Sequence, residues 1–87
     1  MTSIKLTKPI VDGPRVYTEL TVREPTAKQM VELSRKIHGD EYEGALSVIS
    51  TMTGIDAKLL DGQLGARDFI RLSAIMADYF REDPKNG

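Results

Sequence analysis

The fold of this chain is decided by the stretch Glu19-Leu20-Thr21-Val22-Arg23-Glu24-Pro25-Thr26. Leu20 and Val22 alternate with polar side chains, and this alternation predicts a strand with one apolar face. Pro25 ends the strand pattern, because proline lacks the N–H that a strand ladder needs and keeps the preceding residue extended. Thr26 and Gln29 have the spacing of a capping box, which predicts that a helix begins directly after the strand.

Two alternating segments before Pro25 predict a β-hairpin over about residues 3–23. Ile4 and Leu6 alternate with polar residues in the first segment. The second segment places four side chains on one face: Val16, Thr18, Leu20 and Val22. Residues 12–14 (Asp-Gly-Pro) are a turn signal, and we expect a loop of more than two residues there. A hairpin alone is marginal in water, so its apolar face should be covered by helices or joined by a neighbouring subunit's sheet. We expect Pro9 at a strand end or edge, because it cannot donate to a ladder.

The residues after Pro25 have helical periodicity and predict three main helices and one short helical turn. The expected bounds are 27–38, 41–53, 57–61 (the short turn) and 66–81, followed by a frayed tail at 83–87. Gly54 is expected to end the second helix in a left-handed conformation, and Asp56 is expected to cap the short turn. Asp40 and Glu43 have the spacing of a second capping box. We therefore predict the α+β class and a single domain spanning residues 1–87.

The last helix has a wider apolar arc than packing on one core requires. The arc contains Ile75, Tyr79, Leu72, Met76, Phe69, Phe80 and Ser73, and it is widened by Ala77 and Ile70. It covers roughly 220°, whereas about 100° suffices for a helix lying on a core. Either this helix is central or one of its sides contacts another chain, and we favour contact with another chain. We predict that Ile70, Ile75 and Tyr79 bind a partner or a second copy, with strand addition at the hairpin edge as a second candidate.

Composition disfavours several classes of function. The chain has 12 Lys and Arg against 13 Asp and Glu, whereas nucleic-acid binders usually present a basic face. It has no cysteine, so it forms neither a disulfide nor a thiolate metal site, which fits a cytoplasmic protein. Its apolar runs are too short to cross a bilayer. We therefore expect a cytoplasmic protein that binds neither nucleic acid nor membrane.

The residues capable of catalysis or metal binding do not form a reactive set. His38 is the single histidine, and we expect it near the end of the first helix, where the free carbonyl groups favour a cation. Asp40, Glu41 and Glu43 lack the ligand spacing of a calcium loop and are interpreted as ordinary acidic residues at a helix start. One histidine at a helix end does not support a Ser-His-Asp triad. We expect no catalytic residue, no metal and no cofactor, and hence a protein that is not an enzyme.

Several short motifs follow one another in a definite order. They are Ile4-Lys5-Leu6, Leu20-Thr21-Val22-Arg23-Glu24-Pro25-Thr26, Thr53-Gly54-Ile55, Leu59-Leu60-Asp61 with Leu64, and Asp68-Phe69. In this order the chain resembles the family of phage tail assembly chaperones from contractile-tailed phages and prophages, over about residues 3–80. The most specific piece is the run from Leu20 to Thr26.

The resemblance implies a role in building the tail. Members of that family bind the long, largely helical tape measure protein, keep it soluble and guide the polymerisation of tail tube subunits around it. They act in the cytoplasm of the bacterial host and are absent from the mature virion, and their genes often also yield a longer form by ribosomal frameshifting. The expected partners are the tape measure protein, the tail tube protein and further copies of this chain. Two alternatives stay open, a structural tail or baseplate component and, disfavoured by the charge balance, a small nucleic-acid-binding regulator.

Overall fold

A computed structural model describes residues 2–39 and 41–80, and within them the chain forms two strands followed by four helices. The elements are β1 Thr2–Asp12, β2 Arg15–Val22, α1 Ala27–Gly39, α2 Glu41–Thr53, α3 Ala57–Gln63 and α4 Ala66–Phe80. The predicted α+β class is confirmed, and each described helix boundary lies within two residues of its expected position. The predicted tail at 83–87 lies outside the described residues, as do the predicted cap Asp40 and the side chain of His38.

The helix boundaries follow from the local signals in the sequence. The backbone N–H of Thr26 donates to the side-chain oxygen of Gln29 at 3.0 Å, and the N–H of Gln29 donates to the Thr26 hydroxyl at 3.2 Å. This is the predicted capping box. Gly54 has a φ of 80°, so α2 ends at the expected left-handed glycine. The carboxylate of Asp56 accepts a hydrogen bond from the N–H of Lys58 at 3.0 Å and caps α3.

The hairpin turn is shorter than predicted. Asp12 pairs with Arg15, so the loop consists of Gly13 and Pro14 alone, and the expectation of a longer loop was wrong. Gly13 has a φ of 58°. A positive φ at the first loop position, followed by the fixed negative φ of proline, is the combination found in two-residue type II′ turns.

An irregular segment in the middle of β1 changes which side chains of β2 are buried. Lys5 pairs with Glu19 and Ile10 pairs with Tyr17, so residues 6–9 of β1 lie opposite one residue of β2, Thr18. Pro9 lies within this segment, where its missing N–H interrupts no regular pair. It is not at a strand end, but β1 is an edge strand of the two-stranded sheet, as the prediction of an end or edge position allows.

The predicted apolar face of β2 is correct only at its C-terminal end. Leu20 and Val22 are buried, as expected. Val16 and Thr18 are exposed and Tyr17 is half-buried, because the irregular segment shifts the alternation between Tyr17 and Leu20.

The core lies between the hairpin and the helices, and α2 is its central helix. The buried apolar residues are Ile4, Ile10, Leu20, Val22, Leu33, Leu46, Val48, Ile49, Met52, Ile55, Leu60, Leu72 and Met76. Four of them belong to α2, Ile55 lies two residues beyond its end, and α2 contacts β2 and each of the other described helices. The wide arc of α4 is therefore not explained by a central position in the fold.

Candidate functional site

The three predicted partner-binding residues lie on different sides of α4. At about 100° per residue, Ile75 is about 140° and Tyr79 about 180° around the helix from Ile70. Ile75 and Tyr79 are half-buried and pack against the core, whereas Ile70 is 67% exposed. The structure therefore brings Ile75 and Tyr79 together and separates both of them from Ile70.

Ile75 and Tyr79 line a groove between α4 and the beginning of β1. The groove has a volume of about 430 Å³, and Thr2, Ala74 and Asp78 complete its lining. Since both large side chains already contact the core, they contribute to the stability of the domain as well as to this surface.

A second groove lies between α2, α3 and the start of α4. This groove has a volume of about 230 Å³ and is lined by Tyr42, Leu46, Leu60, Leu64, Ala66 and Phe69. Ala66 precedes Ile70 by one helical turn, so the two residues share a face of α4. We use the name α4 groove for the six lining residues together with Ile70, which lies outside the lining itself. Its lining side chains are apolar apart from the Tyr42 hydroxyl, as expected of a surface that takes up apolar side chains.

Two aromatic residues hold the wall of the α4 groove in place. The rings of Tyr42 and Phe69 lie 5.9 Å apart between their centroids, with 47° between their planes. The Tyr42 hydroxyl donates a hydrogen bond of 2.6 Å to the carboxylate of Asp61, and this bond is the main reason that the pKa of Tyr42 is raised above its ordinary value of 10.0. Sequence reasoning did not assign Tyr42, Leu60 or Leu64 to a site. Tyr42 belongs to α2, whereas Leu60 and Leu64 belong to α3 and its C-cap, and only the tertiary fold brings these two segments together.

The outer face of α4 continues the apolar surface along the helix. Ala66, Ile70 and Ala77 are exposed and Ser73 is half-buried. These four residues follow each other at intervals of four, three and four, which is the spacing of a seam between two packed helices. The face is therefore suited to an apolar helix lying along α4, with Ile70 as its single large side chain.

The residues of the Leu20–Thr26 motif connect the hairpin to the end of α2. Leu20 and Val22 are buried in the core, and the backbone N–H of Arg23 donates to the carbonyl of Met52 at 2.9 Å. A Cβ on Gly54 would lie 3.6 Å from the Arg23 guanidinium, which therefore sits at the C-terminal end of α2, where a cation is favoured. The motif thus has a structural role whatever it binds.

A groove of about 360 Å³ follows the second half of this motif. It is lined by Arg23, Glu24, Pro25, Thr26, Gln29, Thr51 and Met52. Arg23, Glu24 and Thr26 are exposed and Pro25 is half-buried. These motif residues are accessible to a partner in the structure.

Side chains from α3 and α4 form hydrogen bonds with the backbone at the outer edge of β1, which is the edge that faces away from β2. The N–H of Val11 donates to the Gln63 side-chain oxygen at 2.6 Å, and the Gln63 side-chain nitrogen donates to the Val11 carbonyl at 2.7 Å. Arg71 Nη1 donates to the carbonyl of Lys5 at 2.7 Å. These groups satisfy the backbone as a neighbouring strand would, so β1 is not available for strand addition at Lys5 and Val11.

Asp68, on α4, binds the backbone of the irregular segment of β1. Its carboxylate is fully buried and accepts the N–H of Thr7 at 3.0 and 3.1 Å, the hydroxyl of Thr7 at 3.1 Å and the N–H of Lys8 at 3.3 Å. Arg71 contributes a further bond of 3.3 Å. The sequence showed Asp68 only as part of a short motif, because its backbone partners lie about sixty residues away.

Neither a metal site nor a membrane-spanning helix is present in residues 2–39 and 41–80, as far as the structure describes them. Within this part of the chain, no group of three or more histidine, aspartate or glutamate side chains could hold a metal ion. Nor is any of its helices long and apolar enough to cross a membrane. Comparison of the chain with protein-family models, curated proteins and solved structures gave no match.

Proposed function

We propose that this chain is a phage or prophage tail assembly chaperone that binds the tape measure protein and assists assembly of the tail tube, without catalysis. The proposal combines the sequence resemblance with one observation from the structure. Ile70 is 67% exposed, more than any other large apolar side chain that the structure describes, and it lies on the helix that supplies Ala66 and Phe69 to an apolar groove. Exposed apolar surface of this kind is typical of a site that binds another protein.

The chemistry of the α4 groove favours a helical client. A tape measure protein is expected to expose apolar stripes at positions i, i+3, i+4 and i+7, and such a helix binds by placing that stripe in a groove. In the proposed complex, the client helix lies along Ala66, Ile70, Ser73 and Ala77 and packs an apolar side chain against the contacting rings of Tyr42 and Phe69.

The proposed mechanism depends on many weak contacts rather than on a single tight one. A long rod offers the same kind of apolar stripe many times, so many copies of a small chaperone cover it together. Contacts between neighbouring copies would add to the avidity, and tail tube subunits would displace the copies as the tube grows. On this proposal the protein acts in the host cytoplasm and is not part of the mature virion.

Co-expression with the tape measure protein of the same phage or prophage tests this function. We expect the tape measure protein to become soluble and to copurify with the chain, and we expect mass spectrometry of purified particles not to detect the chain. Detection of the chain at stoichiometric levels in particles would instead indicate a structural tail or baseplate component. A tape measure protein that stays insoluble with the chain present would refute the chaperone role.

A further inference from the structure

The outer edge of β2, unlike that of β1, offers backbone groups to a further strand. In an antiparallel pair, alternate residues turn their N–H and C=O groups away from the partner strand. The carbonyl of Lys5 and the N–H of Arg23 both point outward, since they bond to Arg71 and Met52. Glu19 pairs with Lys5, and Thr21 lies midway between Glu19 and Arg23. The N–H and C=O groups of Glu19 and Thr21 therefore also point away from β1.

A groove runs along this edge. It has a volume of about 390 Å³ and is lined by Tyr17, Glu19, Leu20, Thr21, Arg23, Thr53 and Ile55. Thr53 and Ile55, at the end of α2, form the wall opposite the strand. Ile55 and Leu20 are buried and Tyr17 is half-buried, so the apolar lining of the groove is continuous with the core.

We propose that the β2 edge binds an extended segment of a partner protein by strand addition. Strand addition uses main-chain hydrogen bonds for affinity and alternate side-chain contacts for specificity. The segment would pair with Glu19 and Thr21 and end where the carbonyl of Met52 occupies the pairing position beside Arg23. This inference goes beyond the proposed function, because it uses a different surface and an extended rather than a helical ligand.

The side chains that line the groove determine which residue types the added strand needs on each of its faces. Alternate side chains of the added strand would face Tyr17 and Ile55, so apolar residues are favoured at those positions. The intervening side chains would lie on the face of Glu19, Thr21 and Arg23, which is polar and exposed. A segment in which β-branched apolar and polar residues alternate satisfies both faces.

The end of α2 argues against a second copy of β2 as the occupant. Two β2 strands paired about a two-fold axis near Glu19, Leu20 or Thr21 would place the Met52 carbonyl of each copy in the line of the other strand. A single extended segment avoids this clash, because it has no helix attached at that position.

The experiment uses a fluorescent peptide of alternating valine and threonine with a lysine at each end. A matched peptide, N-methylated at every valine and threonine, lacks the backbone donors. Thr21→Pro removes an N–H that points outward and leaves the β1–β2 ladder intact. Ser3→Pro is the control, because Ser3 is the pairing partner of Thr21 on β1 and turns its own N–H to the opposite edge.

We expect the alternating peptide to bind the full chain, with shifts of the Glu19 and Thr21 amide signals in ¹⁵N spectra. Thr21→Pro should weaken binding at least about tenfold, whereas Ser3→Pro should change it less than about twofold. Ile70→Asp should leave peptide binding unchanged, which separates this site from the α4 groove. If Thr21→Pro does not fold, comparison of the two peptides on the unmodified chain decides the question.

Three results would overturn the proposal. The first is equal binding of the N-methylated and unmodified peptides, and the second is an equal effect of the two proline substitutions. The third is a Thr21-dependent dimer in sedimentation velocity without peptide, which would make a second copy the occupant.

Discussion

Asp68, in the first turn of α4, accepts hydrogen bonds from the backbone N–H of Thr7 at 3.0 and 3.1 Å and so joins the last helix to the first strand. The carboxylate is fully buried, and its position near the helix N-terminus also favours its negative charge. This contact holds the irregular segment of β1 against α4. It therefore fixes the side of α4 that faces the core and the side that faces solvent.

We predict that Asp68→Asn destabilises the domain. An amide presents one acceptor oxygen and a donor NH₂ group. With the oxygen in the Oδ2 position, the NH₂ group faces the N–H of Thr7 and the Arg71 guanidinium, which are both donors; in the other orientation the N–H of Lys8 loses its acceptor. The free energy of unfolding should fall by about 2–3 kcal/mol, which urea denaturation measures. Glu19→Gln is the control, since Glu19 is exposed, and it should change stability by less than about 0.5 kcal/mol. Equal stability of Asp68→Asn and the unmodified chain would contradict the role assigned to Asp68.

We predict that two aliphatic residues of α4 contribute very differently to the stability of the domain. Leu72 is 1% exposed and Ile70 is 67% exposed. Leu72→Ala should cost about 2–5 kcal/mol, because it leaves a cavity in the core, whereas Ile70→Ala should change stability by less than about 0.5 kcal/mol. Thermal and urea unfolding of the two variants measure this difference. A comparable loss in both variants would show that Ile70 is covered by its own chain.

We predict that the hydrogen bond from Tyr42 to Asp61 is lost at high pH. The bond stabilises the protonated phenol and raises the pKa of Tyr42, so its contribution to stability is present below the ordinary tyrosine value of 10.0. The contribution disappears as the pH rises through the higher pKa of the folded protein. Absorbance titration should show that Asp61→Asn lowers the pKa of Tyr42, with Tyr42→Phe identifying its signal. An unchanged Tyr42 titration in Asp61→Asn would contradict this assignment.

The features predicted correctly from sequence are those that depend on neighbouring residues. The capping box of Thr26 and Gln29, the left-handed Gly54 and the cap at Asp56 each involve residues at most three positions apart. Such contacts depend on local spacing and backbone preference, which the sequence displays directly. The helix boundaries were predictable for this reason.

The features that sequence reasoning missed depend on contacts between distant segments. The irregular segment of β1 is held by Asp68, and the side-chain amide of Gln63 replaces a strand beside Val11. Neither partner can be identified from spacing along the chain. The width of the apolar arc of α4 was visible, and the spacing of Ile70 and Tyr79 already places them on opposite sides of the helix. The sequence did not show that the side of Ile70 is the one left outside the core.

The proposal for the α4 groove depends on Ile70 more than on Ile75 or Tyr79. Both of the latter pack against the core, so an aspartate at either position would disturb folding as well as binding. Val31, on α1, is the better control. It is 54% exposed and, like Ile70, is a β-branched residue in a helix.

The most direct test is the affinity of purified Ile70→Asp and Val31→Asp for a soluble helical segment of the tape measure protein, measured beside the unmodified chain by titration calorimetry. If the α4 groove binds the client helix, Ile70→Asp should weaken binding by at least about 30-fold, as expected for loss of a central contact, while Val31→Asp should bind as the unmodified chain does. Circular dichroism should show that both variants remain folded. Unchanged affinity of a folded Ile70→Asp variant would contradict the central claim.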